Sequence, residues 1–83
     1  MAFKTKVKIR MKDIQDIVRV SDAALSMPFD IDLAIGHYII DAKSLMGMLS
    51  LLNIQKAIRV VMYATEEEAQ SFLHSIQPLI VRA

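Results

Sequence analysis

The chain has no cysteine among its 83 residues, which removes disulfides, thiolate nucleophiles and cysteine metal sites together. Histidine is nearly as scarce: His37 and His74 are the only two and stand far apart, too few for a zinc site. Neither a metal nor another cofactor is expected. An excess of charge is also missing, with 10 Lys and Arg against 9 Asp and Glu. The resulting net charge of +1 creates no strong field for nucleic acid or anionic lipid, so electrostatic binding would have to come from a local patch. Long apolar runs are absent too. The longest uncharged stretch starts at Ser44 and is ended by Lys56, too short to span a bilayer, even though 54% of the residues are hydrophobic and the mean hydropathy is +0.38. At the N-terminus, Lys4, Lys6, Lys8 and Arg10 interrupt the apolar residues instead of preceding a continuous apolar region, unlike a secretory signal. Cytoplasmic residence follows as the expectation.

What is present is a set of regular patterns in a chain of one-domain length, residues 1–83. A chain this short buries only about 60–65% of its unfolded surface, so nearly every element must share one core. Residues 3–11 alternate, with Phe3, Thr5, Val7, Ile9 and Met11 on one side and Lys4, Lys6, Lys8 and Arg10 on the other, the pattern of a half-buried strand. Asp13 is placed to cap a helix in which Ile14, Ile17, Val18, Ser21, Ala24 and Leu25 recur at helical spacing, and Pro28 closes the segment. Phe29, Ile31, Leu33 and Ile35 then alternate with Asp30, Asp32 and Ala34, and Gly36-His37 turns the chain into Tyr38–Asp41, a hairpin.

A short apolar helix is predicted from about Ser44 to Leu52, followed by the link Leu52-Asn53-Ile54-Gln55-Lys56 and a strand over 57–63 with Ile58, Val60 and Met62 on one face. Thr65-Glu66-Glu67-Glu68 is a capping box: the Thr65 hydroxyl and the Glu68 carboxylate each satisfy a free backbone N–H, and the helix dipole favours the acidic residues there. Ala69, Phe72, Leu73 and Ile76 form the inward stripe of that helix, and Pro78 ends the pattern before an apolar tail, Leu79-Ile80-Val81, expected to add a strand-like or interface segment. The order is β-α-β-β-α-β-α, an α+β arrangement in which one face of an antiparallel sheet is covered by helices. Its open face would carry Lys4, Lys6, Lys8, Arg10, Asp30, Asp32 and Arg59, with the lysines protecting an edge strand from pairing with another chain.

Three features carry a family resemblance. The segment Ala42-Lys43-Ser44-Leu45-Met46-Gly47-Met48-Leu49-Ser50-Leu51 resembles the surroundings of the regulatory serine in HPr, the small histidine-containing phosphocarrier of the bacterial sugar phosphotransferase system. Phe29-Asp30-Ile31-Asp32-Leu33 is similar to the second strand of that family, and the length and element order match the whole domain. The resemblance implies an HPr-like open-faced β-sandwich: a four-stranded antiparallel sheet of order 1-4-2-3 covered on one face by three helices.

The same resemblance exposes a departure. HPr carries its phosphoryl group on a histidine at the start of the first helix, within a Gly-hydrophobic-His-Ala-Arg-Pro motif. Counting back from Phe29 places Asp13-Ile14-Gln15-Asp16-Ile17-Val18 there, so Gln15 stands at the histidine position and the arginine and proline are missing. No histidine precedes His37, and a primary amide is essentially not nucleophilic. No catalytic residue is assigned, and no enzyme activity is expected. Asp16 is the one conceivable atypical acceptor, but with Asp13 it brings negative charge to a place that should attract phosphate, with Arg19 a turn further along as a partial offset.

What the resemblance leaves is Ser44, the position of regulatory phosphorylation by the HPr kinase/phosphorylase, with Lys43 beside it. A simple N-cap serves as well as an explanation for this serine. Leu45, Met46 and Met48 correspond to the apolar patch through which HPr meets its partners, so Lys43, Leu45, Met46 and Met48 are the candidate partner-binding residues. The expected function is a binding or regulatory module in carbohydrate-linked control, with a protein partner such as that kinase or a transcriptional regulator, and with homodimerisation through the apolar tail in view. The rival readings are a ferredoxin-like module binding a small ligand or RNA, for which Tyr38 and Tyr63 are the only candidate aromatics on the exposed strands, and a working phosphocarrier with an unusual acceptor.

Overall fold

The computed structural model describes residues 3–54 and 56–81. The strands are β1 (Thr5–Ile9), β2 (Ile31–Ile35), β3 (Tyr38–Asp41) and β4 (Ile58–Met62), and the helices are α1 (Ile14–Leu25), α2 (Leu45–Leu49) and α3 (Glu66–Ser75), followed by a 3-10 turn at Gln77–Leu79. The sheet is antiparallel throughout, of order β1-β4-β2-β3. This is the α+β open-faced sandwich with order 1-4-2-3 and three helices. The ferredoxin-like alternative needs its first strand inside the sheet; here β4 lies between β1 and β2, which leaves β1 at the edge.

Alternation along each strand decides the layers. Ile9, Ile31, Leu33, Ile58, Val60 and Met62 point inward and are fully buried, meeting Ile17, Val20 and Ala24 of α1, Met48 of α2 and Ala69, Phe72 and Ile76 from α3 and its end. The outward positions Lys4, Lys6, Lys8, Arg10, Asp30 and Arg59 are exposed and Asp32 half-buried, so the open face has the predicted membership. Its charge is sorted by strand, basic on β1 and acidic on β2 and β3. The first strand is shorter than its pattern: Met11 is buried beyond its end, but Phe3 is 60% exposed and lies outside the core.

Helix α1 differs from expectation in its rotation. Its inward residues are Ile17, Val20, Ser21 and Ala24, an i, i+3, i+4, i+7 set, while Ile14, Val18 and Leu25 are left largely exposed. At 3.6 residues per turn these three line up about 90° round the helix from the buried stripe. The helix has two adjacent apolar stripes, and sequence periodicity alone does not separate the covered one from the bare one.

Helix α2 is only Leu45–Leu49, capped by Ser44 and Ser50 and continued by turns. Gly47 inside it has a packing reason: a Cβ there would sit 3.1 Å from Ile40 Cγ2 on β3 and 3.3 Å from Ser44 Oγ. The link that follows keeps Ile54 packed against the core, and Gln55 lies outside the described residues. The capping box of α3 is formed on both sides, with Thr65 N–H donating to Glu68 Oε1 at 3.0 Å and Glu68 N–H donating to Thr65 Oγ1 at 3.2 Å. The apolar tail proves strand-like. Arg10 N–H donates to the Leu79 carbonyl and Val81 N–H to the Lys8 carbonyl, both at 2.9 Å, so residues 79–81 cover the C-terminal half of the β1 edge.

Candidate functional site

Two helix starts concern function, and they differ in chemistry. At the start of α1, Asp13 is the N-cap and its Oδ1 accepts from Asp16 N–H at 3.1 Å, while Asp16 Oδ2 accepts from Lys12 N–H at 2.8 Å. The first bond caps the helix, and the second holds the residue just before the cap. Of the N–H groups that would hold a phosphoryl group at such a helix end, that of Asp16 is already answered by the Asp13 carboxylate, and both carboxylates place negative charge there. Beside them lies an open hollow of about 430 Å³, lined by Arg10 and Lys12 as well as both aspartates and the tail residues 78–81. Gln15 is exposed at this helix start, and Ile17, which stands where the family motif has arginine, is buried in the core.

At the start of α2, Ser44 is exposed and its Oγ accepts from Gly47 N–H at 3.2 Å, an N-cap with no acidic residue in the first turn. Lys43 is half-buried, and its ammonium donates to the Met27 carbonyl at 2.9 Å rather than standing free beside the serine. Its backbone N–H goes to Asp41 Oδ1, also at 2.9 Å. Leu45 and Met46 are exposed, Met46 to 84%. Met48 is fully buried, so this expected partner contact is corrected: it fills the core beneath α2, because one side of a single-turn helix must be anchored to the sheet. The exposed apolar residues of α2 are Leu45 and Met46; Ile14 and Val18 are exposed on α1, a helix that packs against α2. Sequence spacing does not separate Ile14 and Val18 from the inward stripe of α1, so their exposure follows only from how the helix docks.

The remaining candidates divide between faces. Tyr63 points to the open face, where its hydroxyl donates to Asp32 Oδ2 at 3.0 Å and the Lys4 ammonium sits 5.4 Å from its ring centre. The bond to Asp32, and then the negative charge of that carboxylate, raise the Tyr63 pKa because the phenolate would lose the one and face the other. Tyr38 pairs with the inward Ile35 and so belongs to the helix side of the sheet. The two tyrosines therefore do not form one stacking surface of the kind single-stranded RNA uses. His37 is exposed in the β2–β3 turn and His74 is exposed on α3. Among the described residues there is no group of three or more His, Cys, Asp and Glu placed to hold a metal, and no helix long and apolar enough to cross a membrane.

With the architecture in place, the chain is defined as an α+β open-faced β-sandwich with exposed apolar residues on two helices that pack against each other. A scan against protein-family models finds no match, and a search of curated proteins finds no matching relative.

Proposed function

We propose that this chain is an HPr-like protein that does not carry a phosphoryl group on histidine and instead binds protein partners through the surface around Ser44. The observation that carries the reading is the pair of exposed apolar residues Leu45 and Met46 next to the exposed Ser44 at the α2 start, with Ile14 and Val18 also exposed on the neighbouring α1. Partners suited to it are a kinase that modifies Ser44 or a transcriptional regulator that reads these apolar residues. The absence of a phosphocarrier step is supported by Gln15, which offers no nucleophile, and by Asp13 and Asp16, whose carboxylates occupy the helix start and repel a phosphoryl donor. On this reading the chain is not an enzyme, and it works in the cytoplasm.

Incubation with ATP and the HPr kinase/phosphorylase tests the regulatory half. The expected result is a mass gain of one phosphate that disappears in Ser44→Ala. No gain on a folded wild-type chain removes Ser44 as a regulatory site, and a gain that survives Ser44→Ala moves the modification elsewhere.

A further inference from the structure

The two edges of the sheet are treated differently. The β1 edge carries Lys4, Lys6 and Lys8, and its Lys8 and Arg10 backbone groups are taken by the tail. Lysines and a covering segment are the usual means of keeping a sheet edge from pairing with another chain. The β3 edge has neither: Tyr38-Ile39-Ile40-Asp41 contains no lysine or arginine, and Tyr38 and Ile39 are 76% and 70% exposed.

The register determines what that edge offers. Gly36 has φ of 55° and His37 has no positive φ, the pattern of a two-residue type II′ turn closed by the Ile35–Tyr38 pair. In an antiparallel ladder hydrogen-bonded and non-bonded pairs alternate, so Tyr38 and Ile40 bond to β2, as Ala42 N–H does to the Ile31 carbonyl at 2.9 Å. The N–H and C=O groups of Ile39 and the N–H of Asp41 are therefore directed to the free edge, while the Asp41 carbonyl already accepts from Ser44 N–H at 3.0 Å and has one lone pair left.

We propose that β3 pairs with β3 of a second copy about a two-fold axis centred on Ile39, joining the two sheets into one. Two conditions select this register. Opposed residues must lie on the same sheet face, and the bonded pairs must be those with edge-directed groups. Ile39 opposite Ile39 of the second copy meets both, and it sets His37 against Asp41 of the other copy at each end. An imidazole N–H there faces a carboxylate with acceptor capacity left after its bond to Lys43 N–H. The other permitted register, centred on Ile40, would set Ile39 against Asp41 and lose both matches. On the helix side each Tyr38 falls opposite Ile40 of the second copy, over an apolar groove of about 260 Å³ lined by Ile35, Ile40, Leu51 and Ile54. The lysine rows of the two β1 strands stay at the far edges of the joined sheet.

The experiment is sedimentation of the full chain over a concentration series to about 1 mM, where even a small, weak interface is populated. The expected result is a reversible monomer–dimer equilibrium that Ile39→Lys abolishes. Because the chain lacks cysteine, Ile39→Cys can form only an intermolecular disulfide. An opposed bonded pair has Cα atoms about 5.5 Å apart, within disulfide reach, so air oxidation should yield a dimer that Asp22→Cys on α1 does not form. Should Ile39→Lys fail to fold, amide exchange of the wild type decides: the Ile39 and Asp41 N–H groups slow with concentration. A chain monomeric throughout, association indifferent to Ile39→Lys, equal cross-linking of both cysteine variants, or exchange at Ile39 and Asp41 independent of concentration overturns the proposal.

Discussion

The Lys43 ammonium donates to the main-chain carbonyl of Met27 at 2.9 Å, a bond that ties the entry of α2 to the segment leaving α1. The lysine that sequence places beside Ser44 thus has a structural task. Replacing it with methionine, which keeps the apolar stem, should cost about 1.5–3 kcal/mol, the range of a hydrogen bond to a charged group. Chemical denaturation measures the loss.

Gly47 is required by space rather than by backbone conformation. Gly47→Ala brings a Cβ against Ile40 while gaining helix propensity of about 1 kcal/mol, so the two nearly cancel. Gly47→Val adds two further carbons with no such offset and should lower stability by about 1–3 kcal/mol. Thermal unfolding of the pair gives the comparison, and a valine variant as stable as the alanine one would deny that the approach to β3 is tight.

Restoring the imidazole alone should not restore phosphoryl transfer. Gln15→His supplies a nucleophile, but Asp13 and Asp16 still place two carboxylates at the helix start, and Ile17 offers no guanidinium. Incubation of wild type and Gln15→His with Enzyme I and labelled phosphoenolpyruvate should leave both unlabelled. Label on the wild type would mean that another residue serves as acceptor.

The Glu68 carboxylate is held below its ordinary pKa, first by the Thr65 backbone N–H and then by the Thr65 hydroxyl. Its contribution to stability is therefore present above the ordinary glutamate value and is lost as pH falls through the lowered one. Glu68→Gln should flatten that part of the acid side of the stability–pH curve, with the start of α3 the first segment to lose amide protection in the wild type. Denaturant midpoints across the acid range report it.

Local chemistry made much of this molecule legible beforehand. Thr65 and Glu68, Asp13, Ser44 and the Gly36-His37 turn each mark an element boundary with side-chain or backbone groups close in sequence, and strand alternation marked the inward faces of β1, β2 and β4. These features depend on neighbours within a few residues, so one sequence suffices to place them. Gln15 at the α1 start was also visible, as was the exposed Met46 surface.

Other features depend on how the elements meet. Helix α1 carries two apolar stripes, and only docking on the sheet made Val20 the buried one and left Ile14 and Val18 bare. Met48 went to the core and Met46 to solvent because a single-turn helix has one side to anchor. The tail became a partner of β1 because Leu79 and Val81 reach unpaired groups at Arg10 and Lys8. Residue patterns alone determined the elements and their amphipathic character, since those arise from short-range periodicity and capping. Tertiary structure decided which apolar residues remain outside and which sheet edge stays open, because both are settled by contacts between residues distant in sequence.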